Sequence, residues 1–259
     1  MKVAMMQPAF LPWQGFFELI YQADVFVLLD DFQFSVQSYH QRNRLFISPT
    51  QVGWYTVPAI KSGAFGQPLN HTRIDDSVPW RRKMLERLRQ NYSKAPSFAE
   101  VFPPVADWLA IRSPSLAEQN QGFIQLVMEL LGWKRELLIS SAHPSSSERS
   151  ERVLELLRWC GATRYYAARG ACDYMREDAV FPVAKIEVLF QDFVPQPYAQ
   201  VGSPGTFIPR LSILDALFNL GPEETARVLA QSSERWLHWD DIVGCRPSKD
   251  SGVLGPPED

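Results

Sequence analysis

Short runs of hydrophobic residues near the N-terminus flank a segment with helical periodicity. Residues 2–6 (KVAMM) and 25–29 (VFVLL) are short, almost wholly apolar and followed by polar residues, which is typical of strands buried on both faces of a parallel sheet. Between them, apolar residues recur at spacings of three, four and seven from Phe16, which predicts a helix over residues 15–23. Together the three segments predict a strand-helix-strand unit.

The central part of the chain changes from an alternating to a helical pattern. Residues 44–47 and 53–59 are β-rich segments around a Pro-containing turn, which predicts a β-hairpin. Three helical patterns follow, so the sequence predicts a helical insert over residues 79–132. The first helix carries an apolar ladder at Trp80, Met84, Leu88 and Tyr92, and the others span residues 97–111 and 115–131.

Strand and helix patterns alternate again in the C-terminal part. The predicted elements are strands at residues 135–140, 163–168 and 185–193, a helix at residues 149–159, and two helices separated by Gly221 and Pro222. This alternation predicts an α/β fold with a parallel, Rossmann-like sheet, a helical insert and C-terminal helices. We assign residues 1–244 to a single α/β domain and residues 245–259, which are polar and contain Pro and Gly, to a flexible tail.

Composition and charge narrow the class of protein. The 259 residues are 46% hydrophobic and 21% charged, a globular balance that excludes disorder and disulfide-stapled miniproteins. The net charge of −3 argues against DNA as a partner. The 3 cysteines are widely spaced, and the chain has neither a signal-peptide core nor an apolar run of about 18 residues. These features predict a reduced, cytoplasmic protein without a membrane segment.

The loops that follow the predicted strands are the first candidates for a ligand site, because parallel sheets bind ligands at the carboxyl ends of their strands. The loop after the first strand holds two prolines, a Trp and a Gly before a helix start, where backbone amides can face a phosphate or carboxylate. No glycine-rich phosphate loop is present, so neither a dinucleotide-binding nor a P-loop enzyme is supported. The candidate ligands here are Gln7, Pro8, Trp13 and Gly15, with core packing of the aromatic residues as the alternative.

Two adjacent acids end the second predicted strand and precede a polar segment. Carboxylates at this place hold metals or riboses in parallel sheets, although paired acids also form ordinary turns. Alternate residues of an extended segment share a face, so Arg42 and Arg44 should point together toward an anionic group, with Asn43 opposite. The candidate catalytic residues are Asp30, Asp31 and His40, and the candidate substrate ligands are Gln33, Arg42, Asn43 and Arg44.

The C-terminal half contributes a second ligand loop. Gly170, Asp173 and Tyr174 follow a predicted strand, and Arg210 lies at a helix start where it can pair with an anion. Cys172 also stands at a helix start, where a thiolate is favoured, but a buried inert thiol is the commoner case. Histidines and cysteines lack the spacing of a zinc site, so no metal is assigned and the cofactor is unknown.

The first helix of the insert has a basic surface formed by Arg81, Arg82, Lys83, Arg87 and Arg89. A solvated helix face is the plain interpretation of such a pattern. Contact with RNA or a nucleotide sugar is the alternative.

Several separated motifs resemble the WbqC-like family, whose members are often encoded with enzymes of polysaccharide and O-antigen biosynthesis. The motifs, spread in order over residues 1–222, include QPAFLPWQGFFELI, ADVFVLLDDFQF, QRNRLFI, WYTVPA, WRRKMLERLRQNYSKAP, GATRYYAARGACDYM and FIPRLSILDALFNLG. A more distant resemblance is to pantothenate-synthetase-like nucleotidyltransferases. The chain keeps Pro8 and Gly15 of their layout, but Trp13 and Phe16 replace the two histidines that bind ATP phosphates in those enzymes.

The resemblances imply a transferase that attaches an acyl or aminoacyl group to an amine of an amino sugar or similar small metabolite. In this hypothesis, residues 7–15 hold the donor, Arg42 and Arg44 hold an anionic group, and one candidate catalytic residue takes the proton of the amine. The implied partners are an amino sugar or nucleotide sugar and an aminoacyl-tRNA or acyl carrier. Two alternatives stay open: ATP-dependent carboxylate activation with a degenerate His-x-Gly-His signature, and a non-catalytic ligand-binding protein for a partner enzyme.

Overall fold

The centre of the fold is a sheet of six strands in which five neighbouring strands are parallel. The computed structural model describes residues 1–60, 66–202 and 205–243. The sheet strands are β1 (Lys2–Met6), β2 (Val25–Leu28), β5 (Glu136–Ile139), β6 (Arg164–Ala167), β7 (Glu187–Gln191) and β8 (Trp236–His238), and a separate hairpin consists of β3 (Arg42–Ser48) and β4 (Gln51–Thr56). The α/β class and the largely parallel sheet predicted from the sequence are confirmed.

Helices connect these strands and form the middle of the chain. They are α1 (Gln14–Gln22), α2 (Trp80–Tyr92), α3 (Phe98–Ala110), α4 (Leu116–Leu130), α5 (Arg149–Trp159), α6 (Cys172–Asp178), α7 (Ile213–Leu220), α8 (Pro222–Ser232) and α9 (Trp239–Val243). Gly161 ends the segment after α5 with a positive φ of 62°, as a glycine at a helix end should. Among the described residues, none of these helices is long and apolar enough to cross a membrane.

The strand order places a switch point between β1 and β6. The sheet reads β5-β2-β1-β6-β7-β8, and Val3 of β1 pairs with Val25 on one side and Tyr165 on the other. The chain therefore moves outward from β1 through β2 to β5, then crosses to β6 and moves outward in the opposite direction. Loops diverge at such a point, and the crevice between them is where doubly wound sheets bind ligands.

Helices pack against both faces of this sheet. Ala4 and Phe26 belong to a core formed with α1, α4 and α7, whereas Val3 and Val27 belong to a second core formed with α5 and α6. Successive strand residues point to opposite faces, which explains why the buried positions of these strands are apolar on both faces.

The helical insert packs against the first loop of the sheet. All four residues of the predicted α2 ladder are buried, which confirms the i, i+4 pattern. Phe10 in the loop after β1 lies 6.4 Å from the Trp80 ring and 6.2 Å from the Trp108 ring. The insert thus supports the loop that begins at the carboxyl end of β1.

The structure differs from the prediction mainly near the C-terminus. The sheet gains β8, a three-residue strand antiparallel to β7 that the sequence analysis did not include, and α9 follows it. Helix α6 was expected only as a helix start at Cys172. The strand predicted at residues 185–193 is shorter, Glu187–Gln191. The predicted tail, residues 245–259, lies outside the described residues.

Candidate functional site

Four chain segments lie side by side next to the carboxyl edge of the sheet. Trp54 of β4 pairs with Arg44 of β3, the Ser212 amide donates to the Arg44 carbonyl at 3.0 Å, and Ser212 forms a β-bridge with Trp13. Arg210 lies two residues before Ser212 in the same segment. The structure therefore brings together the segments that carry three candidate substrate ligands, Trp13, Arg44 and Arg210.

Two buried asparagines fix the loop between β1 and α1. Asn43 Nδ2 donates to the carbonyls of Phe10 at 3.2 Å and Leu11 at 2.8 Å, and Asn120 Nδ2 donates to the carbonyl of Pro8 at 2.9 Å. Buried carbonyls need such partners, because an unpaired one retains the full cost of desolvation. The candidate ligands Pro8 and Asn43 thus shape the loop, and their polar groups are already used.

Trp13 closes the loop by packing onto the helix start. A Cβ at Gly15 would meet the Trp13 indole far inside the 3.0 Å that real Cβ atoms keep, so only glycine fits under this ring. The same indole packs edge-on against Phe193 at 5.6 Å, and Phe16 is buried. Trp13 and Phe16 are therefore aromatic packing residues.

His40 is a buried member of a hydrogen-bond chain. The Ser35 amide donates to His40 Nδ1 at 3.3 Å, so Nε2 carries the proton and donates to Gln7 Oε1 at 2.9 Å. Gln7 Nε2 in turn lies 3.5 Å from the carbonyl of Gln33. Burial lowers the pKa of His40 to about 4, so the ring is neutral near pH 7. His40 was named as a catalytic candidate, but in this geometry both ring nitrogens are occupied and it orients Gln7 instead.

Asp30 connects the carboxyl ends of β2 and β5. It accepts hydrogen bonds from the Ser141 amide at 3.0 Å, the Ser141 hydroxyl at 2.7 Å and Asn70 Nδ2 at 3.2 Å, and it is buried. The Ser140 hydroxyl lies 3.1 Å away and is closer still to Asp31. These contacts and its burial assign Asp30 a structural role, because its oxygens accept from protein donors and are shielded from an incoming molecule.

Asp31 is held in place and still reachable from solvent. Arg152 NH2 donates to Asp31 Oδ2 at 3.0 Å, and the same guanidinium donates to the carbonyls of Ser140 at 2.8 Å and His143 at 2.7 Å. The Arg152 side chain is 4% exposed, whereas that of Asp31 is 27% exposed. Of the three candidate catalytic residues, Asp31 is the one that an incoming molecule can touch.

Two half-buried arginines on β3 retain unused donors. The Arg42 guanidinium stacks on Trp54 at 4.2 Å, and the Nε atoms of Arg42 and Arg44 are buried without a hydrogen-bond partner. In the described part of the chain, neither residue forms an ion pair with an acid, and the same is true of exposed Arg210. Asn43, which stands between the two arginines in the sequence, is buried, as the alternation of strand residues predicts. Guanidinium groups without an acidic partner favour phosphate or carboxylate ligands.

The loop after β6 is less open than the sequence analysis expects. Tyr174 packs against the second core under α5 and α6, and burial raises its pKa to about 12. Gly170 lies in a 3-10 turn, Asp173 is in the first turn of α6, and burial raises the pKa of the Cys172 thiol, which opposes thiolate formation. Across the gap to β7, Arg169 forms an ion pair with Asp192 at 3.0 Å.

Two buried acids had no place in the sequence analysis. Glu18 of α1 accepts a hydrogen bond from Gln191 Nε2 at 2.5 Å, and burial raises its pKa to about 8. Asp215 of α7 accepts hydrogen bonds from Tyr92 at 2.9 Å and Tyr198 at 2.6 Å, and burial raises its pKa. An acid inside an apolar helical stretch, as in GFFELI and LSILDALF, was the available signal for both.

The donor set offers no metal centre within the described ranges. No group of three His, Cys, Asp or Glu side chains is arranged there to hold an ion. The carboxylate oxygens of Asp30 and Asp31 instead accept hydrogen bonds from Ser140, Ser141 and Arg152.

The parallel sheet, the switch point and the polar groups at its carboxyl edge define a Rossmann-like α/β protein with a candidate ligand site between loops. The chain belongs to the WbqC-like protein family, whose model matches residues 7–227, a range that includes every candidate site residue. It is also 33% identical over 228 residues to an uncharacterized protein of Mycobacterium tuberculosis, an alignment that covers 86% of this chain and 95% of that protein. No solved structure matches the chain.

Proposed function

We propose that this protein is a transferase that attaches an acyl or aminoacyl group to an amine of an amino sugar or similar small metabolite. The observation that carries the proposal is the state of Asp31, a carboxylate at the carboxyl edge of the sheet that is fixed by a buried arginine and 27% exposed. A general base needs both properties, because it must be oriented and must reach the proton that it accepts.

The reaction begins when the amine nitrogen attacks the carbonyl carbon of a thioester or ester donor. The new C–N bond forms, the C–S or C–O bond to the carrier breaks, and the amine proton passes to Asp31. Asp31 then returns this proton to the departing thiolate or alkoxide, so that atoms and charge balance.

Arginines in the row of segments beside the loop after β1 support an anionic substrate. The segments that carry Arg44 and Arg210 adjoin in the row that ends at Trp13, because the Ser212 amide donates to the Arg44 carbonyl. Neither arginine forms an ion pair with an acid among the described residues. A phosphate on a nucleotide sugar has the charge and geometry that paired guanidinium groups bind. The amino sugar is thus held by its anionic part, which leaves its amine free for transfer.

One observation favours a second candidate, a non-catalytic binding protein that presents the ligand to a partner enzyme. Asp30 and His40 have their polar atoms engaged by neighbouring protein groups, so two of three candidate catalytic residues contribute to structure. ATP-dependent activation has less support, because Trp13 and Phe16 pack where phosphate-binding histidines would stand.

The test combines ligand binding with product detection. Melting temperatures are measured with nucleotide-linked amino sugars, acyl-CoA, aminoacyl-tRNA, and ATP with Mg²⁺, since a ligand that binds only the folded state raises the melting temperature. Stabilising donor and acceptor pairs are then incubated together, and the N-acylated sugar is sought by mass spectrometry. Asp31→Asn is expected to lower kcat by about 100-fold or more with KM little changed.

Asp107→Asn is the matched control, because Asp107 is an exposed carboxylate on α3 and its loss removes the same charge. If a nucleotide-linked sugar raises the melting temperature but no donor and acceptor pair gives a product, the binding-protein hypothesis would replace the transferase hypothesis. Release of pyrophosphate in the presence of ATP would move carboxylate activation to first place.

A further inference from the structure

A groove of about 450 Å³ separates the hairpin strand β4 from helix α2. It is lined by Trp54, Tyr55, Thr56, Trp80, Lys83, Met84, Glu86, Arg87 and Gln90. Of these residues, Trp54 also adjoins the candidate site, where it pairs with Arg44, and the others lie outside that site. The volume is that of a pocket for one small molecule, whereas a polymer would need an extended channel.

Hydrogen-bond donors line the helical wall of the groove. Lys83, Arg87 and Gln90 are spaced i, i+4 and i+7, which places them on one face of α2, and all three are exposed. Arg87 NH1 donates to the carbonyl of Trp54 at 3.1 Å and its guanidinium lies 5.2 Å from the Tyr55 ring, so this cation is fixed against the hairpin.

The charge of the groove is opposite to that of the whole chain. Lys83 forms no ion pair in the described part of the chain, and Glu86, the acid of the lining, lies 4.0 Å from Arg82 outside the groove. Arg42, stacked at 4.2 Å on Trp54, adds a cation at the strand side. A chain with a net charge of −3 thus has a positive groove here.

The strand wall supplies an aromatic surface. Trp54 is half-buried. Tyr39 contacts its ring edge-on at 5.8 Å, and the Arg42 guanidinium lies over the ring at 4.2 Å. Indole rings stack on sugar or base rings, and fixed cations beside them bind phosphate. A ligand that has both a planar ring and a phosphate is a nucleotide.

We propose that this groove is a second ligand site, which binds a nucleoside phosphate with its phosphate on Lys83 and Arg87 and its base against Trp54. Arg42, which stacks on Trp54, is also a candidate ligand of the transferase centre, so the test uses Lys83, Arg87 and Trp54, which are not candidate ligands there.

The experiment measures the affinity of the full chain for UMP and AMP by isothermal titration calorimetry, with uridine and inorganic phosphate as probes of the two halves. Both nucleotides should bind more tightly than either half. Lys83→Ala/Arg87→Ala should weaken nucleotide binding by about tenfold or more, because hydrogen bonds to charged groups are lost. Trp54→Leu should weaken nucleotide binding but leave phosphate binding unchanged.

Arg82→Ala/Arg89→Ala is the matched control, because it removes the same charge from other faces of α2, where Arg82 lies near Glu86 and Arg89 stacks on Phe102. It should retain nucleotide affinity, with folding checked by circular dichroism.

Four results would overturn the proposal. They are no nucleotide binding at about 10 mM, equal affinity for phosphate and nucleotide, equal weakening by the control double variant, and much tighter binding of an RNA oligonucleotide than of UMP. The last result would assign the basic face of α2 to a polymer.

Discussion

Replacing Glu18 by Gln should stabilise the protein, and the gain should grow with pH. The side chain is 1% exposed within α1, and Gln191 Nε2 donates to it at 2.5 Å. Burial raises its pKa from 4.5 to about 8, and the hydrogen bond from Gln191 opposes this effect without cancelling it. The folded protein therefore keeps a neutral carboxylic acid at this position near pH 7.

The direction of the pH dependence follows from the pH at which the folded and the unfolded state each lose the Glu18 proton. The unfolded chain loses the Glu18 proton near pH 4.5, whereas the folded chain keeps it to about pH 8, so folding stability falls as pH rises through this window. Each pKa unit corresponds to about 1.4 kcal/mol, which gives a loss of about 1 kcal/mol at about pH 5 and about 4 kcal/mol at about pH 7.5. Gln has no proton to lose and is close in shape to the neutral acid.

Urea unfolding followed by tryptophan fluorescence measures the effect. The gain of Glu18→Gln over the wild type should be about 3 kcal/mol larger at about pH 7.5 than at about pH 5. Glu129→Gln, at an exposed position of α4, is the matched control and should show no such difference. Equal gains at the two pH values would mean that Glu18 titrates near its ordinary value and that the reasoning is wrong.

Three other substitutions test separate contacts. Burial lowers the pKa of His40 from 6.5 to about 4, so the wild type should lose about 3 kcal/mol as pH falls through that window, and His40→Gln should remove this slope in urea unfolding. Gly15→Ala places a Cβ against the Trp13 indole and should lower the free energy of unfolding by about 1–3 kcal/mol, measured by thermal unfolding. Arg152→Met leaves Asp31 and two carbonyls without their donor and should cost about 3 kcal/mol, of which Arg152→Lys should restore only part.

Local periodicity explains why most elements could be predicted. Helix α5 has the predicted bounds, and β1 and β2 agree to within one residue, because each element buries its apolar face within its own short segment. Strand β8 has no such signal. Its three residues become a strand by pairing with β7, for example Phe190 with Leu237, and that pairing depends on tertiary structure.

The sequence predicted the carboxylates of the candidate site but not the residues that bind them. Asp30 and Asp31 stand together in the sequence, but Ser140 and Arg152 are more than a hundred residues away and reach them because β5 pairs with β2, Leu28 beside Ile139. Strand order is not encoded in local patterns, so the sequence analysis named the carboxylates without their partners.

The partners decide which of these residues can act on a substrate. A buried polar group whose lone pairs accept from protein donors stabilises the fold, and its removal lowers stability before it affects chemistry. Asp30 and His40 are of this kind and are buried, whereas Asp31 accepts from Ser140 and Arg152 but has a side chain that is 27% exposed. Asp30→Asn and His40→Gln should therefore reduce activity in proportion to the fraction of protein that unfolds, while Asp31→Asn should reduce the activity of protein that is fully folded. Turnover per folded molecule, measured beside the free energy of unfolding for the three variants, separates the two behaviours. Equal losses per folded molecule would show that solvent exposure does not identify the base in this protein.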